Sequence, residues 1–188
     1  MGKNGNLREL PQILWQLFPQ LSSSFSYGRP ESWSERRFLS LSAFAFTSGK
    51  GFVPALHPAF PEARFAEVEE RVSEPLDPDL QRILDDYFES TLASGQYAVV
   101  NRPGWPLLEK FRALALAYPV ALWMLRYFAN NGTPKRDAAI SVITTIERGQ
   151  GYAPLVGLQH RQRLSRLKSQ QELERLIAWY GRADRISG

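Results

Sequence analysis

Few residues in this chain have the type and spacing that chemistry needs. There are no cysteines, which removes disulfides, thiol nucleophiles, cysteine-held clusters and cysteine-ligated zinc. Two histidines, His57 and His160, stand far apart and in no HxxxH or HExxH frame, so each reads as a solvated or capping side chain rather than a metal ligand. Ser165-Arg166-Leu167-Lys168 matches the S-x-x-K nucleophile pattern. It has no S-D-N or K-T-G companion and falls in an arginine-rich helix, so the match reads as chance. Gly49-Lys50-Gly51 lacks the phosphate-loop frame and reads as a plain loop. Asn131-Gly132-Thr133 is a formal glycosylation acceptor that matters only on a secretory route. Asp85, Asp86 and Glu89 are grouped acids, but they sit on the polar face of an amphipathic helix. A carboxyl tuned for proton transfer needs burial, so the three are expected to be solvated. No catalytic residue, metal ligand or cofactor is assigned.

Two groups remain as candidates. Arg161, Arg163, Arg166 and Lys168 are the densest basic cluster and the candidate anion or phosphate contacts. At about 100° per residue they spread round a helix instead of forming a stripe, which weakens a nucleic-acid reading. The second group surrounds a proline. Tyr118, Pro119, Trp123 and Tyr127, with Tyr152 further on, are the candidate pocket or partner surface. Pro119 has no amide hydrogen, so it is expected to kink its helix and leave the Ala115 carbonyl without its usual donor. Aromatic side chains at a kink can line a pocket; ordinary packing is the plainer reading. Trp33, Trp105, Trp123 and Trp179 read as core and loop anchors rather than base-stacking platforms.

The elements that hold these residues are helical. Asp77–Pro78 is an N-cap followed by proline at the first helical position, and Gly95 is the stop. Between them Leu80, Ile83, Leu84, Tyr87, Phe88, Thr91 and Leu92 form one apolar stripe. Gln96–Val100 is short and β-branched, and Asn101–Pro106 turns the chain. The next helix spans 107–130. Its apolar residues form two stripes, Phe111, Leu114, Tyr118, Leu122, Leu125 and Leu116, Val120, Trp123, Tyr127. Apolar side chains therefore surround its middle, which predicts a central, buried helix. Thr133–Pro134 starts a further helix ending near Gly149, with Ala139, Val142, Ile143 and Ile146 inward. The β-branched run 140–146 also suits a strand, and the cap signals favour helix.

Upstream, Pro11–Phe18 reads as a short helix. Ser32–Glu35 is a capping box that starts a helix reaching Phe46, with Phe38, Leu41 and Phe44 or Ala45 on one face. Thr47–Pro61 is a loop, and 62–72 an acidic helical stretch. Two helices close the chain, separated at Ser169–Glu172 by a second capping box. The expectation is an all-α fold of seven or eight helices, a single compact domain around the proline-kinked helix 107–130. Residues 1–60 should pack as a helical and loop segment on a core of 61–188.

At 188 residues the chain is long enough to bury a core without staples, and 44% hydrophobic with 22% charged residues is globular composition. The net charge is +4, yet residues 61–90 hold ten acids and three bases. The longest apolar run, Ala113–Leu125, is bounded by Arg112 and Arg126 and is too short to span a bilayer. No signal peptide is visible, so the default compartment is the cytoplasm.

The order of elements from Leu80 to Arg182 resembles a known family. An amphipathic helix (LDDYFESTLASGQYAV) precedes a long apolar helix with interior proline (FRALALAYPVALWMLRYFANNG). A helix entering a glycine loop (AAISVITTIERGQGYAPLVG) and a terminal helix (LERLIAWYGR) follow. This pattern is similar to the carboxy-terminal helical region of the flagellin lysine-N-methylase family of cysteine-cluster proteins. The resemblance implies a link to S-adenosylmethionine-dependent methylation of protein lysines. The family's cysteine ligands have no counterpart here, so it implies a non-catalytic helical module that recognises substrate or assists on a protein partner. The alternatives are a component of an S-adenosylmethionine-dependent methyltransferase and a basic nucleic-acid-binding protein, whose binding would weaken steeply with salt.

Overall fold

The computed structural model describes 48–53, 62–71, 76–99, 105–129 and 133–151, together with Arg37, Leu41, Phe44, Ala45, Glu174, Ile177 and Tyr180. These residues are predominantly helical, and the only extended pairing among them is a single antiparallel bridge between Phe52 and Arg64. Five helices are seen along their length: α1 (Phe65–Glu70), α2 (Pro78–Ala93), α3 (Gln96–Val99), α4 (Leu107–Ala129) and α5 (Lys135–Gly151). The fold is all-α, with the helices packed as one body.

Local chemistry accounts for the helix ends. At α2, the Asp77 carboxylate accepts the Asp79 amide at 3.1 Å, and Pro78 occupies the first turn, where its missing N–H is harmless. Asp77 also pairs with Lys135 at the start of α5. That ammonium beside it holds the Asp77 carboxyl below its ordinary range and raises the Lys135 amine. The α2 stop is Gly95, at φ +66°, a left-handed conformation glycine adopts freely. Its N–H donates to the Leu92 carbonyl at 3.1 Å. The Gly49-Lys50-Gly51 segment is the same device. Gly49 has φ +76°, and the Lys50 amide donates to the Ala45 carbonyl at 3.2 Å, closing the helix before it.

α4 is the centre. From Ala113 to Phe128 its side chains are buried almost without interruption; only Ala115 and Tyr118 are half-buried. It packs most broadly on α5, and also on α3 and α1. The helix runs unbroken through Pro119. α5 is helical rather than extended, and Ala138, Ala139, Val142 and Ile146 face the core. Thr145 is buried too, its hydroxyl donating to the Ser141 carbonyl at 2.6 Å.

Two expectations need correction, and a segment that the sequence assigns to no element proves helical. The α2 stripe is narrower than drawn: Leu80, Leu84 and Phe88 are buried, while Ile83 and Leu92 are exposed. With about 100° per residue, Ile83 and Leu92 lie about 80–100° from the centre of the buried line, at the rim of the contact. Leu41 and Phe44 are helical, as expected, but that face turns outward, and Phe44 is 75% exposed. Gln96–Val99 is a helical turn despite its β-branched end. The Ala98 amide closes it on the Gly95 carbonyl at 2.9 Å, and Tyr97 is held edge-on against Phe111. Tertiary contact overrides weak propensity there.

Leu84 is fully buried, so Leu84→Ala should lower unfolding free energy by about 2–5 kcal/mol. A Cβ at Gly95 would meet nothing within 4 Å. Gly95→Ala should therefore carry only the left-handed backbone penalty, about 1–2 kcal/mol. Urea unfolding followed by far-ultraviolet circular dichroism ranks the two.

Candidate functional site

The aromatic residues singled out around Pro119 fall into two environments. Trp123 and Tyr127 are wholly buried, and Pro119 is buried with them. One helical turn apart, their rings stack at 5.7 Å. Phe65 of α1 also stacks on Trp123, at 5.2 Å, and Phe128 tilts against Tyr127 at 5.1 Å. This column is the seam between α1 and α4. Burial pushes the Tyr127 phenol well above its ordinary value. Trp123 Nε1 is buried with no hydrogen-bond partner among the described residues. Tyr118 faces the other way. Its ring meets Phe88 edge-on at 5.2 Å, and its hydroxyl donates to Asp85 Oδ1 at 3.2 Å. Asp85 is thus half-buried and engaged, and only Asp86 and Glu89 of the three α2 acids are exposed as expected. Tyr152, Arg161, Arg163, Arg166, Lys168, His57 and His160 lie outside the described residues.

Spacing gave no sign of a polar cluster that lies beside the aromatic column. Arg126 lies in the most apolar helix yet is buried. Its Nε donates to the Arg71 carbonyl at the end of α1, and Nη1 to the Leu122 carbonyl, both at 3.2 Å. Glu69, on α1, accepts the Tyr180 hydroxyl on both carboxylate oxygens, at 2.8 and 2.7 Å. Tyr180 is itself fully buried. Burial, reinforced by the Glu69 charge, pushes its phenol far upward, and the Arg126 charge offsets part of this. The available signal was Arg126 itself, since an arginine inside an apolar helix must find acceptors. Nothing in the sequence pointed to Glu69 or Tyr180 as its neighbours.

A third tyrosine repeats the pattern. The Tyr87 hydroxyl donates to Glu147 Oε1 at 3.2 Å, tying α2 to α5. Burial and the Glu147 charge push that phenol up to about 12. Tyrosine–carboxylate bonds therefore join α2 to α4, α2 to α5, and α1 to the carboxy-terminal turn bearing Tyr180. The raised Tyr87 and Tyr180 phenols stay protonated at neutral pH and donate; they suit positioning rather than proton transfer. Among the described residues no three metal-ligating side chains come together, and no helix is long and apolar enough to cross a membrane.

The described surface offers an apolar face instead. Leu107, Leu108 and Phe111, at the start of α4, are 59%, 55% and 44% exposed. Their spacing places them within about 100° of one another on the helix. Tyr97 flanks Phe111, and Lys110 Nζ donates to the Ala98 carbonyl at 2.6 Å, fixing α3 beside this end of α4.

The raised phenols have a stability consequence. The unfolded chain releases tyrosine protons near the ordinary value of 10.0, while folded Tyr87 holds its proton to about 12. Stability is complete below pH 10 and falls as pH rises through that window. Ultraviolet titration of phenolate should show Tyr87 among the late-ionising tyrosines, and Tyr87→Phe should remove one late step and soften the alkaline loss. The chain matches no protein-family model, and comparison with curated proteins and with solved structures finds no similar one.

Proposed function

We propose that this protein is a non-catalytic helical module that acts in the cytoplasm by docking a protein partner through the exposed face at the start of α4. The observation that carries the reading is the grouping of Leu107, Leu108 and Phe111 in solvent beside Tyr97, on a helix that is buried almost throughout from Ala113 to Phe128. Large apolar side chains grouped on a rigid, solvent-facing helix end are typical of partner sites. The resemblance of 80–182 to the helical region of flagellin lysine-N-methylases suggests the partner class: a cysteine-cluster protein or its flagellin substrate.

The test is affinity purification of the tagged chain from its host beside a Leu107→Ser/Leu108→Ser/Phe111→Ser variant. A stoichiometric protein should co-purify with the wild type and be reduced tenfold or more with the variant, whose circular dichroism stays unchanged. Nucleic acid in the eluate that leaves at high salt, with no protein partner, would favour the basic nucleic-acid-binding reading instead. A thermal shift with S-adenosylmethionine would favour the methyltransferase reading.

A further inference from the structure

The exposed face at the start of α4 has a charge pattern as well as an apolar centre. With about 100° per residue, Leu107, Leu108 and Phe111 centre on one direction, and Lys110 and Arg112 fall about 90–110° to either side of it. Both bases are half-buried, as rim positions are. Lys110 Nζ donates to the Ala98 carbonyl at 2.6 Å. A carbonyl is neutral, so this bond fixes the ammonium at the rim without cancelling its charge. The face also occupies the first turn of a 23-residue helix, where the backbone dipole is positive. The acid of that turn, Glu109, lies about 150° round the helix from the centre of the face. α3, which borders the face through the Tyr97–Phe111 contact, reads Gln-Tyr-Ala-Val and carries no charge.

The extent of the face limits what can cover it. The exposed apolar residues end at Phe111, and Ala113 and Leu114 are already buried. A helix that lies in a membrane surface keeps an apolar stripe open along its length. α4 cannot do so, because its next turns are covered by its own neighbours. One open turn with three large side chains suits the stripe of a short partner helix, whose apolar residues recur at spacings of three and four. Positive rims on both sides favour negative rims opposite.

We propose that the occupant of this face is an amphipathic helix of a partner protein, its apolar stripe bordered by aspartate or glutamate that meets Lys110 on one side and Arg112 on the other. The inference rests on the docking reading above and adds the chemistry of the partner to it.

Two helical peptides, each added to the full chain, test this. Both carry leucine at positions i, i+3, i+4 and i+7; one borders that stripe with glutamate, the other with lysine. Fluorescence anisotropy should show the glutamate peptide binding about threefold to thirtyfold more tightly, as two exposed ion pairs and a helix dipole together supply. That preference should shrink at high salt. Phe111→Ser should weaken both peptides, whereas Arg112→Glu should weaken the glutamate peptide and bring the two affinities together. Equal binding of the two peptides by the wild type, binding of neither, or a preference that Arg112→Glu leaves intact would overturn the proposal. Binding to phosphatidylglycerol vesicles in place of either peptide would overturn it in favour of a membrane. If Arg112→Glu fails to fold, the wild-type comparison at low and high salt decides alone. In the co-purification, a protein lost with Leu107→Ser/Leu108→Ser/Phe111→Ser but retained by Arg112→Glu would remove this inference and leave the docking reading standing. A protein retained by both variants would remove the docking reading itself.

Discussion

Everything in this molecule follows from a helix that cannot face water on any side. α4 carries leucine, valine, alanine and aromatic residues round its circumference, and from Ala113 to Phe128 the fold covers almost all of them. Removing each large apolar side chain from water contributes about 1.5–3 kcal/mol. A helix with one apolar stripe needs one neighbour, whereas this one needs a ring of them. Among the described residues, α5, α3 and α1 pack on it and α2 meets it through Tyr118, and their own amphipathic character is what lets them serve.

Surrounding an apolar helix solves one problem and creates another. The neighbours are amphipathic, so polar groups come to lie at every seam. The molecule answers repeatedly with a phenol donating to a carboxylate: Tyr118 to Asp85, Tyr87 to Glu147, Tyr180 to Glu69. Tyrosine suits such seams because its ring packs as a hydrocarbon while its hydroxyl reaches the edge. Arg126 is the extreme case. Its charge is buried, and its guanidinium is directed to the open carbonyl end of α1 and to its own helix. A cation at a helix carboxy-terminus also meets the negative end of the helix dipole.

The two apolar groups along α4 therefore differ in kind. Trp123 and Tyr127, which looked like a partner surface from their proximity to Pro119, belong to the covered part of α4. Leu107, Leu108 and Phe111 sit where the covering ring has not yet begun. A buried aromatic helix and a solvent-facing helix end are hard to distinguish by composition, because both read as aromatic and aliphatic residues at helical spacing. Burial separates them, and burial is decided by elements distant in sequence.

By itself the sequence determined the helical class, the start of α2 at Asp77–Pro78 and its stop at Gly95, and the central place of α4. It also distinguished helix from strand at α5. Those are local matters: a cap needs a side-chain oxygen two or three residues from an amide, a stop needs a positive φ, and an all-round apolar helix must be inside. Only the tertiary structure decided that Ile83 and Leu92 lie at a rim, that Asp85 receives a phenol, and that Gln96–Val99 coils. The same holds for the meeting of Glu69, Arg126 and Tyr180. Glu69 and Tyr180 are 111 residues apart. No spacing rule reaches that far, because what brings the two together is the need of α4 to be covered.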